Sequence, residues 1–221
     1  MTEIVTLADD GRAYLVAGER YPRVTTVCQA FDSWAGIPAD VLEAARDRGD
    51  AVHYACELFD HGVLDMDSLP EEIIGYVKAW QDFRAVTGFR PDVIEALVSH
   101  PTYRYAGRLD RVGRFARGLR RQRVTTTGAA LVDIKTGAPT PAWGPQTAAY
   151  AAAYRGERIR ARYCVQLSAD GTWRLHALDE EVQDDRLRAA AGLPARGLER
   201  VQERQARFQC GGQFAHQVGQ L

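Results

Sequence analysis

Lysine is almost missing from this chain of 221 residues: among 28 basic residues, only Lys78 and Lys135 are lysines. Arginine is the default cation here. A lysine kept in such a background marks either a place where a compact ammonium is needed or a chance survivor, and Lys78 suits the second reading. Cysteine is scarce too. Cys28, Cys56, Cys164 and Cys210 form no CxxC and no other close pair, which argues against a local zinc knuckle and a disulfide framework. Reduced, partly buried thiols are expected instead. No apolar run approaches the roughly 20 residues of a membrane span. MTEIVTLADDGRAY has no cationic start followed by an apolar core, so no secretory leader, no membrane association and a cytoplasmic location are expected. A large net charge is also lacking. The formal value is −1, so any surface for nucleic acid must be a local patch rather than an overall field.

What is present suits an ordinary folded protein: 46% hydrophobic and 26% charged residues. The length is enough for one well-cored domain over 1–221 and small for two. Residues 3–7 and 12–16 flank ADDG as a hairpin. A short apolar segment runs from Val24 to Phe31. Pro38–Leu58 reads as a helix with Val41, Ala45, Val52, Cys56 and Phe59 near one stripe. Ser68-Leu-Pro-Glu71 reads as a capping box opening a second helix to about Thr87, stopped by Gly88 and Pro91.

The period then changes. Val93–Val98, Gly107–Phe115 and Ala129–Thr136 read as strands. Gly144-Pro145 suits the N-cap and first position of a helix to about Arg155. Arg160–Ser168 and Thr172–Ala177 form a hairpin around Ala-Asp-Gly. From Glu180 on, the tail is polar, Arg/Gln-rich and expected to be helical. This order predicts an α/β fold, a mixed central sheet flanked by helices, with its core over about 21–178 and a tail over about 180–221.

AALVDIKTG, residues 129–137, carries the chemistry. Strand alternation puts Asp133 and Lys135 on one face and Val132 and Ile134 on the other. YAGRLDRVG, residues 105–113, brings Asp110 on the preceding strand, and Gly107 permits a close neighbour. If the two strands pair antiparallel, the carboxylates of Asp110 and Asp133 converge. Two carboxylates and a carbonyl suit a hard divalent cation, Mg²⁺ or Mn²⁺, and a lysine beside it suits developing negative charge on a phosphoryl group. Taken alone, Asp133 and Lys135 fit an ordinary charge pair on a solvated strand better than a site, because a D-x-K spacing is a weak motif. Gln146 and Tyr150, four apart on the next helix, add a second polar face directed at the end of that strand.

At this point the chain resembles a known family. GRLD (107–110), VDIK (132–135) and QTAAY (146–150) are similar to the GxxD, (D/E)xK and QxxxY motifs of RecB-type nucleases of the PD-(D/E)XK superfamily. RGDAVH (48–53) resembles that group's helical RGxxxH motif, and YPRVTTVCQAF (21–31) resembles the PSVT segment of phage and mitochondrial genome maintenance exonucleases. The resemblance covers about Tyr21 to Tyr154. It implies a restriction-endonuclease-like core and a DNA exonuclease of replication, recombination or repair. It further implies metal ligation by His53, Asp110, Asp133 and the Ile134 carbonyl. Lys135 would be catalytic, with Gln146 and Tyr150 supporting the site. The partners implied are DNA ends and a recombination or replication protein.

A structure-specific endonuclease or nickase, or a non-catalytic DNA-binding adaptor, are the alternatives. Some relatives carry an iron–sulfur cluster, which needs three clustered C-terminal cysteines. Cys210 stands alone, so no cluster is expected. Glu95, on the strand before Asp110, suits either a second metal or a strand-edge charge. RVGRFARGLRRQR (111–123) holds six arginines and suits either a DNA clamp or a solvated loop. Arg46 and Arg48 lie nearer the site as phosphate contacts.

Overall fold

A computed structural model describes residues 4–32, 36–119, 124 and 127–178. The predicted tail and Cys210 lie outside the described residues, as do Arg120, Arg121 and Arg123. The chain opens with three short strands, β1 (Val5–Leu7), β2 (Ala13–Val16) and β3 (Glu19–Pro22), paired antiparallel in that order. Ala17 and Gly18 turn between β2 and β3, both with positive φ, as a two-residue hairpin requires. The Val24–Phe31 segment is helical: α1 (Val24–Cys28) is followed by a 3₁₀ turn.

Two longer helices follow, α2 (Ala39–Asp60) and α3 (Glu71–Thr87). The expected α2 stripe holds at Val52 and Cys56 but fails at its start, where Val41 is exposed. Only the second half of α2 lies over the sheet. The capping-box expectation also fails. Pro70 occupies the N-cap of α3 without a side-chain bond, and the Ser68 hydroxyl donates instead to the Asp65 carbonyl. Proline between Ser68 and Glu71 fits the helix start and leaves the serine in a separate 3₁₀ turn. Gly88 ends α3 in the left-handed conformation.

The main sheet has five strands in sequence order: β4 (Phe89–His100), β5 (Tyr105–Phe115), β6 (Ala129–Lys135), β7 (Ile159–Leu167) and β8 (Trp173–Leu178). All neighbours are antiparallel except β6 and β7. That parallel step needs a crossover, supplied by α4 (Trp143–Ala153). Its N-cap is Ala142, two residues before the expected Gly144, so Pro145 sits at the third helical position, where its missing N–H is still no loss.

Helices cover both faces. Val77, Trp80 and Phe83 of α3 and Val52 and Cys56 of α2 pack on Ala130, Val132, Ile134 and Val165. Val24 of α1 and Ala148, Ala149 and Tyr150 of α4 pack on Leu109, Val112 and Leu131. β6 is therefore buried on both sides, with alternate residues feeding two cores. Cys28, Cys56 and Cys164 are buried, free thiols. Among the described residues, no helix is long and apolar enough to cross a membrane.

Candidate metal and active site

The site forms where β5 and β6 part. Their ladder joins Arg111 to Val132, Val112 to Leu131 and Gly113 to Ala130. One further step of that register sets Asp110 across from Asp133, at the mouth of the gap. The carboxylate of Asp110 closes the gap: its Oδ2 accepts from the Ile134 N–H at 2.6 Å. Strand alternation slips here. Leu109 and Val112, three apart, both belong to the core under α1 and α4, where strict alternation would separate them.

The neighbouring strand is irregular at the same level. Glu95 adopts φ 49, a left-handed conformation that costs a non-glycine residue about 1–2 kcal/mol. Its carboxylate is held by Arg111 Nη1 at 2.6 Å and Arg108 Nε at 3.0 Å. Strained backbone held by such contacts is a feature of functional sites.

His53 enters from α2. Its Nε2 meets the Ile134 carbonyl at 3.1 Å. A carbonyl only accepts, so Nε2 carries the hydrogen and Nδ1 faces Asp110 Oδ2 at 3.5 Å and Glu95 Oε1 at 3.9 Å. One ligand atom from each of His53, Glu95 and Asp110 lies within 4.8 Å of the others. Three electron-rich atoms in one small space call for a cation, either a proton on the imidazole or a metal ion.

The protonation balance agrees. Burial works to lower the His53 pKa, yet the Asp110 and Glu95 carboxylates carry it above its usual value. Burial pushes Asp110 up to about 6, eased by His53 and reinforced by Asp133 and Glu95. Glu95 goes the other way: burial would raise it, but His53 and Arg111 hold it below the usual glutamate range. The donor set of one imidazole, carboxylates and a strand carbonyl fits Mn²⁺ or Mg²⁺.

Asp133 and Lys135 share a face of β6, with Nζ–Oδ2 at 2.5 Å. Asp133 is thus engaged by the lysine rather than grouped with the three candidate ligands, where Glu95 stands instead. Cys164 Sγ lies behind Asp133 Oδ2 at 3.8 Å. Lys135 Nζ also donates to Gln146 Oε1 at 2.9 Å, and Gln146 Nε2 donates to the Tyr150 hydroxyl at 3.4 Å. Burial would lower the lysine pKa, but Asp133 raises it overall. Burial likewise pushes the Tyr150 phenol up. Near neutral pH the first is a fixed cation and the second a neutral donor. Gly107 has the close neighbour expected of it: a Cβ there would lie 2.7 Å from Tyr150 Cε1 and 3.1 Å from Val24 Cγ2.

His53, Glu95, Asp110, Asp133, Lys135, Gln146 and Tyr150 line one cleft of about 500 Å³, which Tyr14 and Leu7 of the small sheet also border. The structure thus brings His53, Asp110, Asp133, Lys135, Gln146 and Tyr150 together, with the Ile134 carbonyl beside His53. It adds Glu95, which the sequence left between two readings.

Arg111 is the larger correction. Counted in the sequence with a basic segment suited to either a DNA clamp or a solvated loop, it is 0% exposed and fits neither. Its Nε binds Asp60 Oδ2 at 2.6 Å, and Nη1 binds both Glu95 and the Asp110 carbonyl. Asp60 also accepts from Trp80 Nε1 and Arg84 Nη1. Arg114, from the same segment, pairs with Asp92 and Glu157. The apolar flanks of Arg111, Leu109 and Val112, were the available signal that it points inward. Asp60, at the end of α2, gave none. No protein-family model matches this chain, and no curated protein matches it in sequence.

Proposed function

We propose that this protein is a metal-dependent deoxyribonuclease with a restriction-endonuclease-like, PD-(D/E)XK core. It hydrolyses phosphodiester bonds at DNA ends in the cytoplasm, in recombination, replication or repair. The observation that carries the reading is the convergence of His53, Glu95 and Asp110 within 4.8 Å beside the Asp133–Lys135 pair, from three strands and a helix. An ordinary solvated charge pair does not have this setting: Asp133 is 1% exposed, and a buried charge is kept only when it is paired or binds a metal.

A bound Mg²⁺ or Mn²⁺ supplies Lewis-acid polarisation of the phosphoryl oxygen and a more acidic water. His53, Glu95 and Asp110 would hold it, with Asp133 and the Ile134 carbonyl alongside. Lys135 stays protonated, so it is no general base; it offers a fixed positive charge to the phosphorane-like transition state. Gln146 fixes the direction of that ammonium through its 2.9 Å bond. Tyr150, held by Gln146 and packed on Gly107, donates from the floor of the cleft. Arg111 presents Glu95 and takes no part in the chemistry.

The test uses end-labelled single strands, linear duplex and closed circular DNA with Mg²⁺ or Mn²⁺. Cleavage of linear DNA is expected, with circles left intact. Lys135→Ala and Asp133→Ala are expected to lower the rate at least about 100-fold. No cleavage of any substrate with either metal would sink the enzymatic reading, and cut circles would shift it to an endonuclease.

A further inference from the structure

The cleft does not end at Lys135. Beyond Gln146, which lines both spaces, a second cavity of about 320 Å³ opens between α1, α2 and the chain that leaves β6. Thr25, Gln29, Arg46, Arg48, Thr136 and Gly137 line it. Two guanidinium groups, two hydroxyls and an amide face one space. The carboxylate there, Asp32, has its Oδ1 taken by the Ala142 N–H at 3.3 Å. Gly137 leaves the wall open, with nothing within 4 Å of where a Cβ would stand.

Arg48 is the unexplained group. Its Nε is buried and has no hydrogen-bond partner, although a buried donor without an acceptor is costly. Among the described residues no carboxylate forms an ion pair with Arg46 or Arg48, so the charge of both is open to an anion in the cavity. A donor-rich cavity with an unpaired, half-buried arginine matches a tetrahedral oxyanion, for which the planar guanidinium is the suited partner. Its position decides which one. The shared wall, Gln146, accepts from the Lys135 ammonium, so the cavity starts one hydrogen bond from the candidate catalytic cation.

We infer that this cavity is a subsite for a phosphate of the DNA strand, next to the one placed at the metal ligands. Arg48 is its anchor and Arg46 its outer contact. The inference rests on the nuclease reading and adds to it a fixed grip on the strand to one side of the cut. The bound group is a phosphate in either of two chemical settings, an internal diester or a terminal monoester.

The test measures binding of fluorescent single-stranded oligonucleotides to full-length Asp133→Asn protein with Ca²⁺, across a series of salt concentrations. Arg48→Met in that background is expected to weaken binding about 10-fold or more. It is also expected to reduce the slope of log affinity against log salt by about one, because one phosphate contact is lost. Arg48→Lys is expected to recover part of both. Arg46→Met, at an exposed position, is expected to give the same two changes in smaller measure, and it serves if Arg48→Met does not fold. An equal loss on 5′-phosphate and 5′-hydroxyl ends identifies an internal diester; a loss confined to phosphorylated ends identifies a terminal group. Unchanged affinity and slope in the arginine variants, with the parent binding well, overturns the subsite and leaves the nuclease reading intact. A parent that binds no oligonucleotide removes both.

Discussion

Asp110 holds the most consequential charge in the molecule. Its carboxyl accepts from Ile134, faces His53 and is pushed up to about 6 by burial and by its carboxylate neighbours. Metal binding needs the ionised form. Below about pH 6 a proton on Asp110 competes with the cation, and His53, carried above its usual value by the Asp110 and Glu95 carboxylates, extends that competition to higher pH. Mn²⁺ affinity is therefore expected to fall by about tenfold or more per unit as pH drops below 6, and to level off only once His53 has also lost its proton. Calorimetric titration in buffers of differing ionisation enthalpy checks this, and proton release on binding near pH 6 is the accompanying signature.

Arg111 poses the opposite problem, a cation with no solvent at all. It balances Asp60 and Glu95 from within the core. Removing one partner of a buried ionic group leaves the rest unpaired, at a cost of about 3–5 kcal/mol. Arg111→Met is expected to lose that much in urea unfolding. If the folded fraction is isolated, it is expected to bind Mn²⁺ more weakly as well, since Glu95 loses its anchor.

At the level of elements, the site depends on how α4 sits against β5. Gly107 leaves space for the Tyr150 ring, and the Tyr105 hydroxyl donates to the Ala149 carbonyl at 3.1 Å. A methyl group at residue 107 meets the ring and Val24 together. Gly107→Ala is expected to destabilise by about 1–3 kcal/mol through overpacking. It should also lower cleavage more than stability alone explains, because Tyr150, Gln146 and Lys135 are linked in sequence by hydrogen bonds. Thermal melts and single-turnover rates on one preparation separate the two effects.

Across the whole molecule, the candidate ligands come from α2, β4 and β5. A cation there adds a further tie among elements already joined by the β4–β5 ladder and by the ion pairs of Arg111 with Asp60 and Glu95. A ligand bound by the native state alone stabilises it by about 2.7 kcal/mol at one hundred times its dissociation constant. A rise in melting temperature with Mn²⁺ is expected, and Asp110→Asn is expected to abolish it.

Local pattern was enough for most elements. The alternation in AALVDIK separated two core faces, the change from helical to strand period marked β4 to β6, and Ala-Asp-Gly closed the last hairpin. Each depends on neighbours in the chain, so the sequence determined it. Asp133 and Lys135 were legible for the same reason, since strand alternation fixes which side chains share a face; Asp110 needed the antiparallel pairing of β5 with β6 as well. Helix starts at Ser68 and Gly144 were misplaced because proline fits more than one early helical position. Distant contacts settled the rest. Whether Glu95 was a strand-edge charge or part of the cluster depended on a backbone twist at φ 49. Whether Arg111 faced DNA or the core depended on Asp60, fifty-one residues away. Charge and polarity can be read residue by residue, but the partner that neutralises a buried charge exists only once the chain has folded.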